Sequence, residues 1–282
     1  MSITFNKINE EGSNLLIVDA LNLAFRWKHI GAKDFFEDYL RTLESFKKSY
    51  KAKYVIIATD QGDSWYRKAI DPLYKANREE KFANQTEAEN RAFAEFIADY
   101  RLSLDHIRNK TNYPVLQYKD TEADDIAAYI VGKVKNFNID HTWLLSTDKD
   151  WDLLIREDVS RFSYVTRKEI SLNNWDSTHD YVHEHHLSIK CLMGDSGDNV
   201  PGIPGIGPKR AAALVKEYGS ALDILDCIPL QSKLKFITAL NASGDRIMLN
   251  YKLMDLITFC HDALGDNTLE IDKILGEYLP NG

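Results

Sequence analysis

A chain of 282 residues, of which 44% are hydrophobic and 28% charged, can bury a sizeable core and has the composition of an ordinary globular protein. No apolar run reaches the roughly 20 residues that span a bilayer, and the start, Met1–Phe5, lacks the basic and apolar segments of a secretory signal, so we expect neither a membrane protein nor a secreted one. The net charge of −8 opposes nucleic-acid binding unless the charges are segregated, or unless carboxylates hold metal ions that reverse the local sign.

Three apolar segments are typical of short buried strands, and each ends in an aspartate. They are Asn14–Asp19, Tyr54–Asp60 and His141–Asp148. Helical patterns lie between them, at Phe35–Tyr50 and Glu122–Lys133. Strands that alternate with helices predict an α/β fold with a mostly parallel sheet flanked by helices. Because ligands gather at the carboxyl ends of parallel strands, we expect a functional edge at Asp19, Asp60 and Asp148.

Residues 65–110 interrupt this alternation with a region rich in Lys, Arg, Glu and Ala and of high helical propensity. The strand pattern returns only at Pro114–Tyr118. An insertion of this kind between sheet elements is typical of an active-site lid or arch. A solvated helical hairpin is the alternative.

The sequence YKANR, which begins at Tyr74, opens this insertion. An aromatic ring beside two cations suits base stacking combined with phosphate contact, and Lys75 would supply positive charge to a scissile phosphate while Arg78 adds a second cation. Arg26 and Lys28, soon after the first strand, are expected to join this nucleic-acid contact. A string of this type is also common on solvated helices.

Acidic residues form further groups beside the strand ends. They are Glu122, Asp124 and Asp125 at the start of a predicted helix, Asp148 and Asp150 after the third strand, and Asp195 and Asp198 in a loop after Leu187–Met193. Taken singly, each group has a structural explanation, namely a capping box at Thr121 or Thr147, or ordinary turn residues beside glycines. Together, so many carboxylates at one sheet edge would repel one another strongly without cations.

Hard oxygen ligands favour Mg²⁺ or Mn²⁺, whereas zinc would favour His or Cys. Two such ions can activate a water and stabilise the departing oxygen in phosphodiester hydrolysis. A histidine group does not match the HExxH zinc motif, and we interpret it as a polar helix face rather than a zinc site; its members are His179, His183, His185 and His186. The three scattered cysteines favour reduced thiols in the cytoplasm over a disulfide framework.

After residue 186 the chain is mainly helical, interrupted by a glycine–proline segment at Val200–Lys209. We therefore divide the chain into a core at 1–185, with the arch at about 65–110, and a helical lobe at 186–282. Glycines in the segment permit a tight hairpin with exposed backbone. Pro208 suits the first position of a helix that ends near Gly219.

This hairpin is a candidate nucleic-acid clamp. The amides of Gly205 and Gly207 at the helix start, together with the side chains of Lys209 and Arg210, are expected to grip a DNA phosphate. A packing turn between helices is the alternative. Residues 226–282 carry no motif that we can interpret.

The motifs together resemble those of the 5′-nuclease superfamily, which includes flap endonucleases, the 5′-exonuclease domain of bacterial DNA polymerase I and stand-alone phage 5′ nucleases. The resemblance covers about Leu15 to Leu225 and is carried by IVDALNLAFR, YKANR, TEADDIAAYI, STDKDWDLL and MGDSGDNVPGIPGIGPKRAAAL. The last two motifs are highly specific. The compact chain with its short helical tail looks most like the phage enzymes.

The resemblance implies a PIN-like α/β core, a helical arch that threads or clamps the 5′ strand, and a helix–three-turn–helix DNA clamp whose carbonyls hold K⁺. It implies two metal clusters, one of Asp19, Asp60, Glu122, Asp124 and Asp125 and the other of Asp148, Asp150, Asp195 and Asp198. It also implies that Tyr74, Lys75 and Arg78 steer the scissile phosphate. The residues expected to carry the reaction are Lys75, Arg78, Asp148 and Asp150.

These features predict a divalent-metal-dependent, structure-specific 5′ nuclease, acting as a 5′-3′ exonuclease and 5′-flap endonuclease in DNA replication or repair. The expected cofactors are two or more Mg²⁺ ions, for which Mn²⁺ substitutes, and K⁺ at the hairpin. The expected substrates are branched, nicked or 5′-ended DNA and RNA primer–DNA hybrids. We expect a monomer without membrane association, in the host cytoplasm if a phage encodes it. The alternatives are a catalytically silent DNA-junction binder and a PIN-type ribonuclease, which generally lacks the hairpin clamp.

Overall fold

A computed structural model describes residues 12–282, apart from the side chain of Glu79. Residues Met1–Phe5, on which the expected absence of a secretory signal rested, lie outside the described part of the chain. Among the residues that are described, no helix combines the length and the apolar character needed to cross a membrane.

The described part of the chain is built around a six-stranded sheet. Its strands, in chain order, are β1 Asn14–Asp19, β2 Ala52–Thr59, β3 Val115–Gln117, β4 Thr142–Leu145, β5 Val159–Ser163 and β6 Lys168–Ile170. They lie in the order β3-β2-β1-β4-β5-β6 and are parallel, except that β6 runs antiparallel to β5. The predicted mostly parallel sheet is confirmed. Because β1 pairs with both β2 and β4, the ends of these three strands meet at its centre.

Strands β5 and β6 have no counterpart among the predicted elements. The middle of β5 is occupied by Arg161, which is 4% exposed. This guanidinium is buried because it pairs with both oxygens of Asp152, at 2.6 and 2.9 Å. A strand stabilised by such an ion pair lacks the continuous apolar run that marks a buried strand in sequence.

One face of the sheet is covered by an aromatic-rich layer of helices. They are α1 Ala20–His29, α2 Phe36–Ser49 and, after the short helices α3 Trp65–Ile70 and α4 Ala76–Ala83, the long helix α5 Glu87–Lys110. A capping box formed by Thr86 and Glu89 starts α5. Its buried side chains, among them Phe96 and Tyr100, pack with α1 and α2 against the sheet. The predicted helical insertion thus consists of α3, α4 and α5.

The other face is covered by α6 Ala123–Val134 and by two helices from the end of the chain, α12 Leu256–Leu264 and α13 Asn267–Tyr278. Nearly every apolar residue of α6 is buried. The side chains of Leu264, Ile271 and Leu275 pack with α6 against β1 and β2. Part of the segment that we assigned to the helical lobe therefore packs on the core.

The helical lobe has an apolar core of its own, which includes Leu214, Ile224 and Ile247. Its helices are α7 His186–Met193, α8 Pro208–Tyr218, α9 Ala221–Cys227, α10 Lys235–Asn241 and α11 Gly244–Met254. A two-stranded ribbon of β7 Gly194–Asp195 and β8 Val200–Pro201 carries the acidic loop between α7 and α8. The boundary after residue 185 stays a prediction. Helices α7–α11 share one apolar core, whereas α12 and α13 pack in the core beneath the sheet.

Candidate active site

The carboxyl edge of the sheet gathers the aspartates that end its central strands. Asp19 is the last residue of β1, Asp60 follows β2, and Asp148 lies shortly after β4. Asp124 joins them from the first turn of α6, because the Asp60 carboxylate accepts the amide of Ala123 at 2.6 Å and thereby holds the amino end of that helix. A negative charge at this position also interacts favourably with the helix dipole.

Neighbouring side chains orient two of these carboxylates. Asp19 accepts hydrogen bonds from Ser146 Oγ at 2.7 Å and from the backbone amide of Asn22 at 3.2 Å. Asp124 accepts one from the indole nitrogen of Trp151 at 2.6 Å. The segment after β4 therefore orients Asp19 at the end of β1 and Asp124 at the start of α6, in addition to supplying Asp148.

Among residues 12–282, none of these four aspartates forms an ion pair with a cationic side chain. Burial raises the pKa of Asp19 and of Asp124 well above the ordinary value, and the charges of Asp60 and Asp148 raise it further in both cases. Burial also raises the pKa of Asp60. Asp148 is the most exposed of the four, but loss of surrounding water and the charge of Asp150 raise its pKa to about 6. These four, the uncompensated aspartates, destabilise one another's charged forms.

Glu122 lies beside this group, but its charge is fully compensated. It accepts hydrogen bonds from Lys75 Nζ at 2.6 Å, the Tyr74 hydroxyl at 3.1 Å, the Arg67 guanidinium at 3.2 Å and the Ser64 amide at 3.3 Å. Burial acts to raise the pKa of Glu122, but Lys75 and Arg67 outweigh it, so the pKa falls below its ordinary value. Glu122 is therefore a stable carboxylate without a divalent ion.

Asp125, which we predicted as a metal ligand, is fully buried. Both of its oxygens are bound by the guanidinium of Arg67, at 2.7 and 2.8 Å. A carboxylate held by one planar guanidinium in this way is already well satisfied. The structure therefore does not bring Asp125 to the cavity that is lined by Asp19, Asp60, Asp124 and Asp148.

A second acidic group lies towards the helical lobe. Lys190 of α7 pairs with Asp150 and lies 3.7 Å from Asp195. Asp198 contacts three side chains from the start of the insertion. It accepts hydrogen bonds from Arg78 at 2.7 Å and the Tyr74 hydroxyl at 2.9 Å, and it forms an ion pair with Lys75 at 3.7 Å. These three acids therefore share their charge with cations of the protein.

Within the described residues, no three His, Cys, Asp or Glu side chains converge into a preformed metal cage. The uncompensated aspartates nevertheless fit hard divalent cations in their chemistry, because they offer only oxygen donors. A cation relieves the repulsion from Asp60 and Asp148, which raises the pKa of Asp19 and of Asp124. Glu122 and Asp125 do not share this property.

A cavity of about 800 Å³ opens over the uncompensated aspartates, which form its floor. Its walls carry cations and aromatic rings from α1, α4, α5 and their neighbours, namely Lys28, Lys75, Arg78, Lys81, Arg101, Phe25, Phe82, Phe93 and Tyr100. Rings that stack on bases and cations that contact phosphates are what a single nucleic-acid strand requires. The cavity thus combines the acidic floor with a wall suited to such a strand.

The predicted DNA contacts on α1 differ in their placement. Lys28 lines the cavity, with Nζ 4.5 Å from the centroid of the Phe93 ring and 4.9 Å from that of Phe25. Arg26 is exposed and lies over Trp27, 5.8 Å from the ring centroid, without lining the cavity. Of these two residues, only Lys28 therefore lines the cavity.

The structure does not support the expected base stacking by Tyr74. Its ring is 3% exposed and packs against Val200, Leu253 and Met254. Its hydroxyl lies within hydrogen-bond distance of one carboxylate from each lobe, Glu122 at 3.1 Å and Asp198 at 2.9 Å. Tyr74 therefore joins the start of the insertion to the helical lobe instead of presenting its ring to a ligand.

The hairpin has the tight geometry that its glycines predict. A Cβ on Gly202 would lie 1.9 Å from the carbonyl oxygen of Met193, so only glycine fits there. Gly205 has a φ of 80°, and its carbonyl accepts a hydrogen bond from Arg210 at 2.5 Å. Pro208 opens α8, which ends at Gly219 as predicted. The side chains of Lys209 and Arg210 are exposed beside the hairpin, where a DNA backbone can reach them.

Of the two structural explanations for the acidic motifs, capping boxes and turn residues, the structure shows only the second. No capping box forms at Thr121 or Thr147, because α6 begins after Glu122 and the Thr147 hydroxyl donates to Asn22. Asp195, by contrast, does act as a turn residue, since its carboxylate accepts the amide of Gly197 at 2.7 Å. A turn role and a metal role are compatible for Asp195, because its other oxygen remains directed to Lys190.

Three members of the histidine group, His179, His183 and His186, contact Trp175, and the group does not form the polar helix face that we expected. His179 stacks on the indole at a centroid distance of 3.8 Å, and the carbonyl of Asp152 accepts a hydrogen bond from Nε2 of His183 at 2.7 Å. His186 is 6% exposed, and burial lowers its pKa to about 3. Aromatic packing, together with burial of one neutral imidazole, accounts for these residues.

Two cations of the site have no motif in the sequence. Arg67 and Lys190 each stand in a mostly apolar helix, WYRKAI and HLSIKCLM. Helix α3 carries a second cation, Lys68. A cation that such a helix turns towards the core has to find a buried partner. Combined with the excess of carboxylates at the sheet edge, this signal would have indicated that both residues belong to the site.

An acidic sheet edge, a cavity with cationic and aromatic walls, and an adjoining hairpin lobe together define an α/β nuclease. The family model described as the N-terminal resolvase-like domain of 5′-3′ exonuclease matches residues 14–185, and that of its C-terminal SAM fold matches residues 183–274. The chain belongs to the 5′-3′ exonuclease family.

Known proteins of this family resemble the chain over most of its length. The flap endonuclease of Escherichia phage T5 is 44% identical over 257 residues, which cover 89% of this chain and 86% of that protein. A crystal structure of bacteriophage T5 flap endonuclease, in a pseudo-enzyme–product complex with DNA and metal ions, matches with a TM-score of 0.88 and 40% identity over 93% of this chain and 98% of that one. DNA polymerase I of Rhizobium leguminosarum is 27% identical over 88% of this chain. The matched part makes up only 25% of the polymerase. These likenesses confirm the predicted family, enzyme class and fold.

Proposed function

We propose that this protein is a divalent-metal-dependent, structure-specific 5′ nuclease. It cleaves phosphodiester bonds near junctions of single- and double-stranded DNA, both as a 5′-3′ exonuclease and as a 5′-flap endonuclease. The observation that carries the proposal is the floor of uncompensated aspartates, Asp19, Asp60, Asp124 and Asp148, beneath cationic and aromatic walls. The likeness to a flap endonuclease that was crystallised with DNA and metal ions supports it.

The donor set suits two or more Mg²⁺ ions, for which Mn²⁺ substitutes, because all candidate ligands are carboxylates. The uncompensated aspartates would hold the first ion. Asp150, Asp195 and Asp198 would hold the second, with Lys190 and Arg78 shifting away from them. Bound divalent ions supply the charge that activates a water and stabilises the departing oxygen. Glu122 and Asp125 act through Arg67 and Lys75 instead of as ligands.

Lys75 and Arg78 are the residues of this chain that would contact the scissile phosphate. Both line the cavity beside the acidic floor, and without metal both pair with Asp198. Their positive charge would stabilise the negative charge that develops on the phosphate during cleavage. Lys28 and the rings of Phe82 and Phe93 would accompany the neighbouring nucleotides of the 5′ strand.

The hairpin would bind the duplex part of the substrate. Lys209, Arg210 and the backbone at Gly205 and Gly207 would contact its phosphates. A K⁺ ion at the hairpin carbonyls requires Arg210 to leave the carbonyl of Gly205, to which it donates at 2.5 Å. Duplex affinity in KCl and in NaCl, compared at equal ionic strength, tests this part of the proposal, which predicts tighter binding in KCl.

Cleavage of labelled DNA tests the function directly. Purified protein would be incubated with 5′-flap, nicked, single-stranded and RNA primer–DNA substrates in Mg²⁺, in Mn²⁺ and in EDTA. We expect cleavage near the junction in either metal and none in EDTA. Binding without cleavage in every condition would favour a catalytically silent junction binder, and cleavage restricted to RNA would favour a ribonuclease. Either result would contradict the proposal.

The setting of this activity is part of the proposal. A monomeric enzyme that removes flaps and primers would serve DNA replication or repair, in the cytoplasm of the host if a phage encodes it. The likeness to a phage flap endonuclease supports this setting. Light scattering after size-exclusion chromatography would show a single chain of 32.3 kDa if the protein is a monomer.

A further inference from the structure

A buried guanidinium lies behind the active site, where the core meets the helical lobe. Arg67 of α3 is 2% exposed. It binds both oxygens of Asp125, lies 3.2 Å from Glu122, and donates from Nε to the backbone carbonyl of Leu253 at 2.8 Å. One side chain therefore makes directed contacts with both α6 and α11.

The contact with Leu253 joins Arg67 to the lobe that carries the hairpin. Leu253 lies in the last turn of α11, where backbone carbonyls have no partner within the helix. The cation satisfies one of them and complements the negative end of the helix. In the same helix, the side-chain amide of Asn250 donates to the carbonyls of Cys191 and Pro201, at 2.8 and 2.9 Å. The hairpin, α11 and Arg67 are therefore connected by hydrogen bonds.

The contact with the carboxylates determines where Lys75 lies. Arg67, Lys75, Glu122 and Asp125 are all buried, and their charges balance in pairs. Without Arg67, two buried carboxylates would compete for the one remaining ammonium group. The position of Lys75 Nζ, 2.6 Å from Glu122, therefore depends on Arg67 holding Asp125.

We propose that Arg67 is a positioning residue, which holds Glu122, Asp125 and the end of α11 and thereby fixes Lys75 beside the floor of the cavity. The proposal rests on the proposed nuclease function and adds to it a residue that never touches the substrate. Lysine cannot replace Arg67, because a single ammonium lacks the planar fork that binds a carboxylate through two hydrogen bonds while a third donor reaches a carbonyl.

The substitution Arg67→Lys tests the proposal, because it keeps the buried charge and removes the fork. On a labelled 5′-flap substrate in Mg²⁺, we expect the single-turnover rate at saturating protein to fall about 100-fold, as for a displacement of about 1 Å at the reacting centre. The protein concentration that gives half of that rate should remain nearly unchanged. The additional substitution Lys75→Ala should then have little further effect, because Arg67 acts through Lys75.

A second measurement needs neither DNA nor metal, so its outcome is independent of whether the protein proves to be a nuclease. Lys75 is 6% exposed and bound by Glu122. Its amine should therefore resist acylation in the wild-type protein, as measured by mass spectrometry of labelled peptides. In the Arg67→Lys variant we expect this protection to decrease several-fold.

Leu275→Ala is the matched control for lost stability. Leu275 is 1% exposed in α13, and Tyr278 of the same helix accepts the amide of Val55 near the start of β2, which places the change at the opposite edge of the sheet. This variant should be less stable without a change in cleavage rate or in acylation of Lys75. Equal rates for the Leu275 and Arg67 variants, independent effects of Arg67 and Lys75, or unchanged acylation would each overturn the proposal.

If Arg67→Lys does not fold, the isosteric change Asp125→Asn replaces it. This variant removes the charge that the guanidinium holds, and we expect the same loss of rate and of Lys75 protection in a milder form. Its affinity for Mn²⁺, measured by electron paramagnetic resonance, should equal that of the wild type. A marked loss of Mn²⁺ affinity would identify Asp125 as a metal ligand and would overturn the proposed role of Arg67.

Discussion

At the scale of single residues, the pKa of each carboxylate in the site depends on the charges that it faces. Asp19 and Asp124 face other aspartates, and their pKa values are raised by burial and by those neighbours. Glu122 faces Lys75 and Arg67, which lower its pKa in spite of burial. Carboxylates at one sheet edge therefore divide into those that face other acids and those that face cations of the protein.

The substitution Asp148→Asn should separate catalysis from DNA binding. It removes one charge from the floor of the cavity without adding bulk, so the affinity for metal falls while the DNA-contacting walls are unchanged. We expect cleavage of a 5′-flap substrate in Mg²⁺ to decrease by about 100-fold or more. DNA affinity, measured by fluorescence anisotropy in Ca²⁺, should change little.

Asp158→Asn is the matched control for this substitution. Asp158 lies at the opposite edge of the sheet, just before β5, and pairs with Arg156 at 2.6 Å. The control should cleave as the wild type does. Full activity of Asp148→Asn in Mg²⁺ would remove Asp148 from the metal site.

The raised pKa of Asp148 predicts a pH dependence of stability in the metal-free protein. An aspartate has an ordinary pKa of 3.8, which we take for the unfolded chain, whereas the pKa of Asp148 is about 6 in the folded protein. The folded state therefore binds the proton more tightly than the unfolded chain does. The stabilisation is complete below the lower value and is lost as the pH rises through the higher one. In EDTA, the free energy of unfolding of the wild type, relative to Asp148→Asn, should therefore decrease between about pH 4 and about pH 7.

Urea denaturation of both proteins at each pH measures this difference. Mg²⁺ should restore the wild-type stability at neutral pH, because a ligand that binds only the folded state stabilises it. A difference between wild type and variant that is independent of pH would show that Asp148 is not perturbed by its neighbours.

At the scale of elements, the hairpin shows how backbone geometry selects residues. Gly202→Ala should destabilise the protein by about 3 kcal/mol, because the added Cβ would lie 1.9 Å from the carbonyl oxygen of Met193. A Cβ added to Gly207 would meet no atom within 4 Å, so Gly207→Ala should change the free energy of unfolding by less than about 1 kcal/mol. Thermal unfolding of the two variants tests the contrast, and equal losses of stability would contradict it.

The cations after the hairpin should determine the salt dependence of duplex binding. Each phosphate contact contributes about one unit to the slope of log affinity against log salt concentration. Replacing Lys209 and Arg210 together by alanine should therefore weaken binding and reduce this slope by about two units. Lys51 and Lys53, which are exposed at the start of β2, provide the matched pair of control alanines. An unchanged slope in the hairpin variant would remove the hairpin from the DNA interface.

At the scale of the whole molecule, the chain returns from the helical lobe to the core. Leu256, Leu264 and Leu275 from α12 and α13 pack on α6. Full burial of each such side chain stabilises the fold by about 2 kcal/mol. A fragment of residues 12–185 should therefore lack cooperative thermal unfolding and bind a hydrophobic dye, although it contains the whole sheet.

Adding residues 256–282 to that fragment through a flexible linker should restore cooperative unfolding, because α12 and α13 then cover α6 again. Residues 186–255 linked in the same way should not restore it. Cooperative unfolding of the fragment by itself, with a midpoint near that of the full chain, would support a domain boundary at residue 185 and contradict this prediction.

The charge distribution resolves the conflict between a net charge of −8 and DNA binding. Four aspartates form the floor of the cavity, where divalent ions would reverse the sign of the local charge. Positive charge lines the walls and flanks the hairpin. The net value alone says nothing about this separation, because it does not record position.

The sequence by itself determined the parallel sheet and the place of the acidic edge. Apolar runs that end at Asp19, Asp60 and Asp148 are local patterns, and the geometry of a parallel sheet brings their ends together without further information. The hairpin was predictable for the same reason, because glycine and proline act on the backbone where they stand. Strand β5 was not predictable, since its buried Arg161 depends on a partner elsewhere in the chain.

Only the tertiary structure decided which acids are compensated, that the Tyr74 ring is buried, and that the last two helices return to the core. Each of these depends on contacts between distant parts of the chain, such as Arg67 with Asp125 and Leu253. Sequence patterns report periodicity and local propensity, whereas the charge state of a buried carboxylate depends on the cations that folding brings to it.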